Sequence, residues 1–216
     1  MRLPIAFVDD MELMRGSLSE YIESRQPLYK VYQYCNGKDL VERLPQEGYQ
    51  PQLVLMDISM PIMNGYEATE WLKARYPKVP VLVVSMHNNE MALIKMYCAG
   101  ANGFITKNYS LDVLFEAMEE VRKGNFYFNI GNGYQVVKGG LYQNGKKITV
   151  TNVTLTDQEQ KILKLMASDK SYKEIAEALS ISSRTIDTHK RNISLKLDIH
   201  TREGLILYAI SMGLVQ

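Results

Sequence analysis

Five residues between positions 9 and 107 have the makings of a single site: Asp9, Asp10, Asp57, Ser85 and Lys107. Each ends or follows a short apolar run, namely LPIAFV at 3–8, LVLM at 53–56, VPVLVV at 79–84 and GFIT at 103–106. Such runs, bounded by turn residues, read as buried strands. If the strands are parallel, their carboxyl ends share one rim, which is where an open α/β sheet binds ligands. Three carboxylates at one rim repel one another unless a cation neutralises them. Magnesium suits oxygen donors and keeps some of its water where only one or two carboxylates bind it directly. An ammonium group and a hydroxyl opposite the metal then complete a pocket for the equatorial oxygens of a transferring phosphoryl group. The nucleophile in such a pocket is a carboxylate and the product an acyl phosphate. One aspartate after a strand is ordinarily a helix cap, and Asp10 could cap the first helix. One lysine is ordinarily a solvated amine. Five such groups at strand ends are poorly explained by coincidence, and no serine or cysteine triad competes with them.

The elements that must position this rim follow from the spacing. A helix is predicted over 12–25, with Leu13, Leu18, Tyr21 and Ile22 facing inward. A strand at 30–34 and a helix at about 37–46 come next. After MPIMNGYEA a helix runs to near Pro77. Another covers 88–98, with Gly100 as terminator, and a last one covers about 110–123, before Gly124. Five strands alternating with five helices predict an α/β, flavodoxin-like, doubly wound five-stranded parallel sheet covered on both faces. This first domain spans 1–124. The stretch 125–152 holds Gly131, Gly133, Gly139, Gly140 and Gly145 without helical spacing, and reads as a linker with a possible β-turn at Asn144-Gly145.

From 153 to 216 the pattern is all-α, with four short helices at about 157–168, 172–179, 183–197 and 201–212. Thr156 and Glu159 form a capping-box pattern, and Ile162, Leu163, Leu165 and Met166 form an apolar stripe. In YKEIAEALSISSRTIDTHKRNISLKL, a helix packing through Ile175, Ala176 and Leu179 is followed by a short turn. Ser182 or Ser183 then caps a longer helix that buries Ile186, Ile193 and Leu197. Its other face shows Arg184, Asp187, Thr188, Lys190 and Arg191. This is the spacing of a helix-turn-helix, whose second helix enters the major groove of double-stranded DNA. Between 182 and 197 there are four basic residues and one acidic residue, a local excess that the chain's net charge of +1 conceals.

Hydrophobic residues make up 46% of the 216, enough for packed cores. No apolar run reaches the length of a membrane span, and the N-terminus lacks a secretory signal, so a cytoplasmic protein is expected. Cys35 and Cys98 lie in apolar surroundings away from other ligands and read as buried free thiols.

FVDD, LVLMDISMP-IMNGYEA, VVSMH and AGANGFITK resemble the receiver domain of two-component response regulators, over residues 1 to about 124. The resemblance implies Asp57 as phosphoacceptor. It implies Asp10 and Asp57 as direct Mg2+ ligands, Asp9 through water, and the Ser59 carbonyl as a further ligand. Ser85 is implied as the switch hydroxyl and Lys107 as the phosphoryl-binding amine, and Phe104 stands at the aromatic switch position. Phe104 lacks the tyrosine hydroxyl found in many receivers, and Lys107 is followed by Asn108 where many carry proline. Residues 154–215, with LTDQEQKILKLMA and GLILYAISMGLV, resemble the LuxR/NarL-type DNA-binding domain. That implies Asp187, Thr188 and Arg191 as base readers, and Lys173, Arg184 and Lys190 as phosphate contacts. It also implies a dimerisation helix carrying Leu205, Tyr208, Ala209 and Met212. A sensor histidine kinase as phosphodonor and a homodimer on DNA complete the implied partners. The other readings are a regulator that works without phosphorylation, and a phosphohydrolase or flavin-binding oxidoreductase built on the same sheet.

Overall fold

The structure is a computed structural model that describes residues 2–86, 90–129, 134–137, 140–143, 146–147, 155–168 and 170–214. Five parallel strands form its centre: β1 (Leu3–Val8), β2 (Tyr29–Tyr34), β3 (Leu53–Met56), β4 (Val81–Ser85) and β5 (Gly103–Thr106). They lie in the order β2-β1-β3-β4-β5. The chain reverses its direction of winding between β1 and β3, which opens a crevice at the carboxyl edge. β3, β4 and β5 are buried at every residue, as two-sided coverage requires.

Helices α1 (Glu12–Arg25) and α5 (Leu111–Arg122) cover one face. There Ile22, Leu114, Ala117, Met118 and Val121 pack on Phe7, Leu55 and Leu82. Helices α2 (Gly37–Arg43), α3 (Gly65–Arg75) and α4 (Glu90–Cys98) cover the other face through Leu40, Ala68, Leu72, Leu93 and Met96. The expected inward stripe of α1 is corrected. Ser19 and Ile22 are buried, but Leu13 and Tyr21 are exposed, because α1 leans on the sheet only through its second half. Asp10 does not cap α1: Met11 holds the cap position and no side chain accepts there. Gly100 adopts φ +100° after α4, as a terminating glycine should. Both thiols are exposed rather than buried.

The segment read as a linker carries regular structure. β6 (Tyr127–Asn129) adds a sixth parallel strand to β5, and β7 (Tyr134–Val137), β8 (Gly140–Gln143) and β9 (Lys146–Lys147) continue the same sheet antiparallel. The turn expected at Asn144-Gly145 lies outside the described residues. One cross-strand row runs through the whole sheet: Tyr34, Val8, Met56, Val83, Phe104, Phe128, Val136 and Leu141 are successive register partners. All eight belong to one buried cluster.

Helices α6 (Asp157–Met166), α7 (Tyr172–Ala178), α8 (Ser183–Leu197) and α9 (Arg202–Ser211) form the C-terminal unit. Thr156 and Glu159 make the expected capping box, and Ser171 and Glu174 make a second one. Glu159 is buried and also accepts from Lys196 Nζ at 2.7 Å, which ties α6 to the end of α8.

Two predictions follow from this packing. A Cβ on Gly65 would lie 2.1 Å from the Asp57 carbonyl oxygen, whereas one on Gly16, inside α1, would meet nothing within 4 Å. Gly65→Ala should cost about 1–3 kcal/mol through forced displacement of the Asp57 backbone. Gly16→Ala should be neutral or stabilising by up to about 1 kcal/mol. Urea unfolding of both variants tests the contrast, and equal effects would refute it. The second concerns Glu159. Burial alone would raise its carboxyl, but the Lys196 ammonium and the Thr156 amide outweigh burial and hold it below the usual glutamate value. Its stabilisation is therefore complete at neutral pH and lost as pH falls through the lowered folded value. Glu159→Gln should cost about 1 kcal/mol at neutral pH, since Lys196 is partly exposed. The gap between variant and wild type should close in acid, and a gap independent of pH would refute the assignment.

Candidate functional site

The sheet order carries Asp9, Asp57, Ser85 and Lys107 to the carboxyl ends of β1, β3, β4 and β5, so residues far apart in sequence share one rim. Asp9, Asp10 and Asp57 each present a carboxylate oxygen within 4.8 Å of the other two. Lys107 Nζ donates to Asp9 Oδ2 at 2.7 Å and to Asp57 Oδ2 at 2.8 Å, and the three side chains are almost entirely withdrawn from solvent. Asp57 Oδ1 accepts from the Ile58 amide at 2.7 Å, and Asp9 Oδ1 from the Met11 amide at 2.8 Å. Asp10 is exposed and gives the cluster its opening to water.

Burial pushes the Asp57 carboxyl above its ordinary range, against the opposing pull of Lys107. Burial also opposes the charge on Lys107, but its hydrogen bonds to Asp57 and Asp9 prevail and hold the ammonium above its usual value. One cation thus serves two buried anions, with a third carboxylate beside them. An all-oxygen donor set with one side open to water fits a hard divalent cation that retains part of its hydration.

Ser85 is fully buried, and its carbonyl accepts the Lys107 amide at 2.7 Å, which ties the end of β4 to the residue after β5. Phe104 is also fully buried, between Val83 and Phe128 in the cross-strand row, and belongs to the core. Ser59 lies exposed in the loop after Asp57. The Lys107–Asn108 peptide is trans. Two rim residues escaped the sequence reading. Arg15 reaches back from α1 to donate to the Asp9 carbonyl at 2.6 Å. Gly65 lets the start of α3 lie against Asp57, its amide donating to the Ile58 carbonyl at 2.9 Å. A glycine at the first helical position after the Asn64 cap was the available signal for the second. Beside Lys107, a groove of about 470 Å³ runs between α1 and the β5–α5 segment, and exposed Leu13, Tyr21 and Leu111 line it.

In the C-terminal unit, Ser182 caps α8 by accepting from the Thr185 amide at 3.1 Å, and the turn before it contains Ser180 at φ +53°. Lys173, Arg184, Asp187, Thr188 and Arg191 are all exposed. The Thr188 hydroxyl donates to the Arg184 carbonyl at 3.0 Å. Among the described residues, no ion pair engages Arg184, Asp187 or Arg191. Lys190 is half-buried, with its ammonium 4.8 Å from the centre of the Tyr172 ring, and the Arg202 guanidinium sits 4.5 Å from the same ring. In α9, Leu205, Tyr208 and Ala209 are buried and only Met212 of the expected pairing residues is open. No helix among the described residues is long and apolar enough to cross a membrane.

Comparison with known proteins identifies both halves. Residues 5–119 match the response regulator receiver domain family, and residues 153–209 match the bacterial regulatory proteins of the luxR family. The chain is 32% identical to the transcriptional regulatory protein DegU of Brevibacillus brevis, over all of this chain and 96% of that one. It is 38% identical to the transcriptional regulatory protein MctR of Rhizobium johnstonii over 76% of this chain and 74% of MctR. It is also 29% identical to the response regulator VraR of Staphylococcus aureus over the full length of both. The response regulator RcsB, solved in complex with DNA, shares the fold with a TM-score of 0.54 at 20% identity, covering 98% of this chain and 99% of RcsB. A LuxR-family response regulator from Aurantimonas has a TM-score of 0.55 at 28% identity over 61% of this chain and 92% of its own. The chain belongs to the two-component response regulators, and joins a receiver domain to a LuxR-type helix-turn-helix DNA-binding domain.

Proposed function

We propose that Asp57 is the phosphoacceptor, and that its phosphorylation by a sensor histidine kinase controls binding of the C-terminal domain to specific DNA sequences. The observation that carries this reading is Lys107 held between Asp9 and Asp57 at the carboxyl rim. An Asp57 oxygen attacks the phosphorus of the kinase phosphohistidine, the phosphorus–nitrogen bond breaks, and the imidazole leaves and takes up a proton. Lys107 exchanges its contact with Asp57 for the arriving phosphoryl oxygens, and Ser85 at the end of β4 answers the same charge. Asp10 and Asp57 would hold Mg2+ directly, with Asp9 through water and the Ser59 carbonyl as a further donor. When bound, the ion supplies neutralising charge to the attacking carboxylate and the phosphoryl oxygens. The protein's own chemistry is then limited to this transfer and to hydrolysis of the acyl phosphate, in which water attacks the phosphorus, the Asp57 carboxylate leaves and inorganic phosphate is released. The kinase docks along the groove beside Lys107, where Leu13, Tyr21 and Leu111 offer apolar surface within reach of the rim. Residues 1–124 form the receiver and 153–216 the DNA-binding domain, with 125–152 between them, and the chain acts in the cytoplasm as a homodimer on DNA.

In intact-mass measurements with acetyl phosphate and magnesium, wild type should gain one phosphoryl group and Asp57→Ala none, and chelation should stop the reaction. Equal labelling of both proteins would overturn the assignment. Lys107→Ala should retain magnesium binding but lose the change in association state that beryllofluoride induces, as read by light scattering.

On DNA, Asp187, Thr188 and Arg191 face base edges while Lys173, Arg184 and Lys190 contact phosphates, with Lys190 braced on Tyr172. Arg191→Ala should flatten the preference at one position of each half-site, because a bidentate contact with guanine is worth about 1–3 kcal/mol of discrimination. Lys173→Ala should weaken binding to all sequences alike and lower the salt slope by about 1. Selection from random duplexes at two salt concentrations reads both effects. An unchanged preferred site in Arg191→Ala would remove it from the readers.

A further inference from the structure

α9 is more deeply buried than a helix in so small a unit needs to be. Every residue from Gly204 to Ile210 is buried, the continuous run GLILYAI. A helix that lends one face to a core buries a stripe and leaves the rest to water. α8 behaves that way, burying only Ile186, Ile193 and Leu197. The second cover on α9 comes from the segment between the two matched domains: β7 and β8 both pack against it. Val136 and Leu141, each almost wholly buried, share a cluster with Leu205–Ile210.

This hairpin is the far end of the receiver sheet. Its buried residues continue the row that passes through Phe128 and Phe104 to Val83, two residues before Ser85, and to Met56, next to Asp57. The DNA-reading side chains of α8 meanwhile stay exposed.

We propose that the β7–β8 hairpin is an intramolecular cap on α9: it occupies the helix face through which two copies of the chain pair, and leaves α8 open to DNA. This rests on the reading of α9 as the pairing helix. An apolar face freed by the hairpin needs another cover, and a second copy of the same face is self-complementary about a two-fold axis. Activation then adds pairing rather than access. The unphosphorylated chain reads one half-site as well as the activated chain does, and differs only on two.

The test uses full-length Leu141→Asp and Val136→Asp, without phosphodonor, on duplexes carrying one or two half-sites recovered from the random selection. Both variants should dimerise by light scattering at concentrations where wild type is monomeric. They should bind the two-site duplex about tenfold or more tighter than wild type, with one-site affinity unchanged within about twofold. Variants that stay monomeric while Asp57 labelling and one-site binding are normal overturn the cap. Because a buried charge can disturb folding, hydrogen exchange on wild type supplies an independent reading. Exchange at 134–137 and 140–143 should quicken when beryllofluoride is added, and unchanged exchange there overturns the proposal whatever the variants do. Failure of wild-type labelling at Asp57 would instead refute the phosphoacceptor reading, and leaves the pairing of the hairpin variants as a separate result.

Discussion

A single ammonium group between two buried carboxylates sets the terms for the N-terminal half of this molecule. Lys107 can neutralise Asp9 or Asp57 but not both, and Asp10 adds a third negative charge at the opening. Removing such groups from water is unfavourable unless they are paired and hydrogen-bonded, so the rim needs its geometry kept tightly. The Ile58 and Met11 amides each take one carboxylate oxygen, and Arg15 pins the backbone of Asp9 from outside. Strand order matters for the same reason. β1 and β3 must be neighbours for Asp9 and Asp57 to share a cation, and β5 must end level with them for Lys107 to reach. The site is left with a deficit of positive charge, which a divalent cation would correct.

The rim was legible in the sequence because each of its members sits at the end of an apolar run, and a parallel sheet converts that one-dimensional fact into proximity. The C-terminal helices were legible because their signals are local: Thr156 with Glu159, Ser182 before α8, and apolar residues spaced for one face. What was missed has in common that distant chain decides it. Leu13 and Tyr21 fit the helical stripe of α1, yet where α1 parts from the sheet depends on α5 and on the groove between them. β6 has only three residues, and nothing in Tyr127–Asn129 announces a strand until β5 offers it an edge. Glycines around the hairpin weaken the period-2 pattern that Val136 and Leu141 would otherwise show. Gly65 looks like one more turn residue, and its necessity is visible only when the Asp57 carbonyl is found against it.

The two halves are also less separate than their sequence patterns suggest. Receiver helices α2–α4, the hairpin and the cores of α6–α9 contribute to one continuous buried cluster, and the Cys98 thiol donates to the Ala167 carbonyl at 3.7 Å, linking α4 to the end of α6. Phe104 gains a meaning here that its missing hydroxyl does not supply. It fills the row between the carboxylate rim and Phe128, so a shift of β4 or β5 must be taken up by its neighbours in a close-packed layer. That is a packing route rather than a hydrogen-bonded one.

Only nine residues, 148–156, separate the end of β9 from the start of α6. A short tether gives the hairpin a local concentration at α9 on the order of millimolar. Under the cap proposed above, a second copy of the chain competing for α9 at about micromolar concentration would start at a disadvantage near a thousandfold, equivalent to about 4 kcal/mol. The length of that connection would then act as a dial. Lengthening it would lower the threshold concentration for self-association without altering one atom of either surface, and would do so in proportion to the dilution of the tethered competitor.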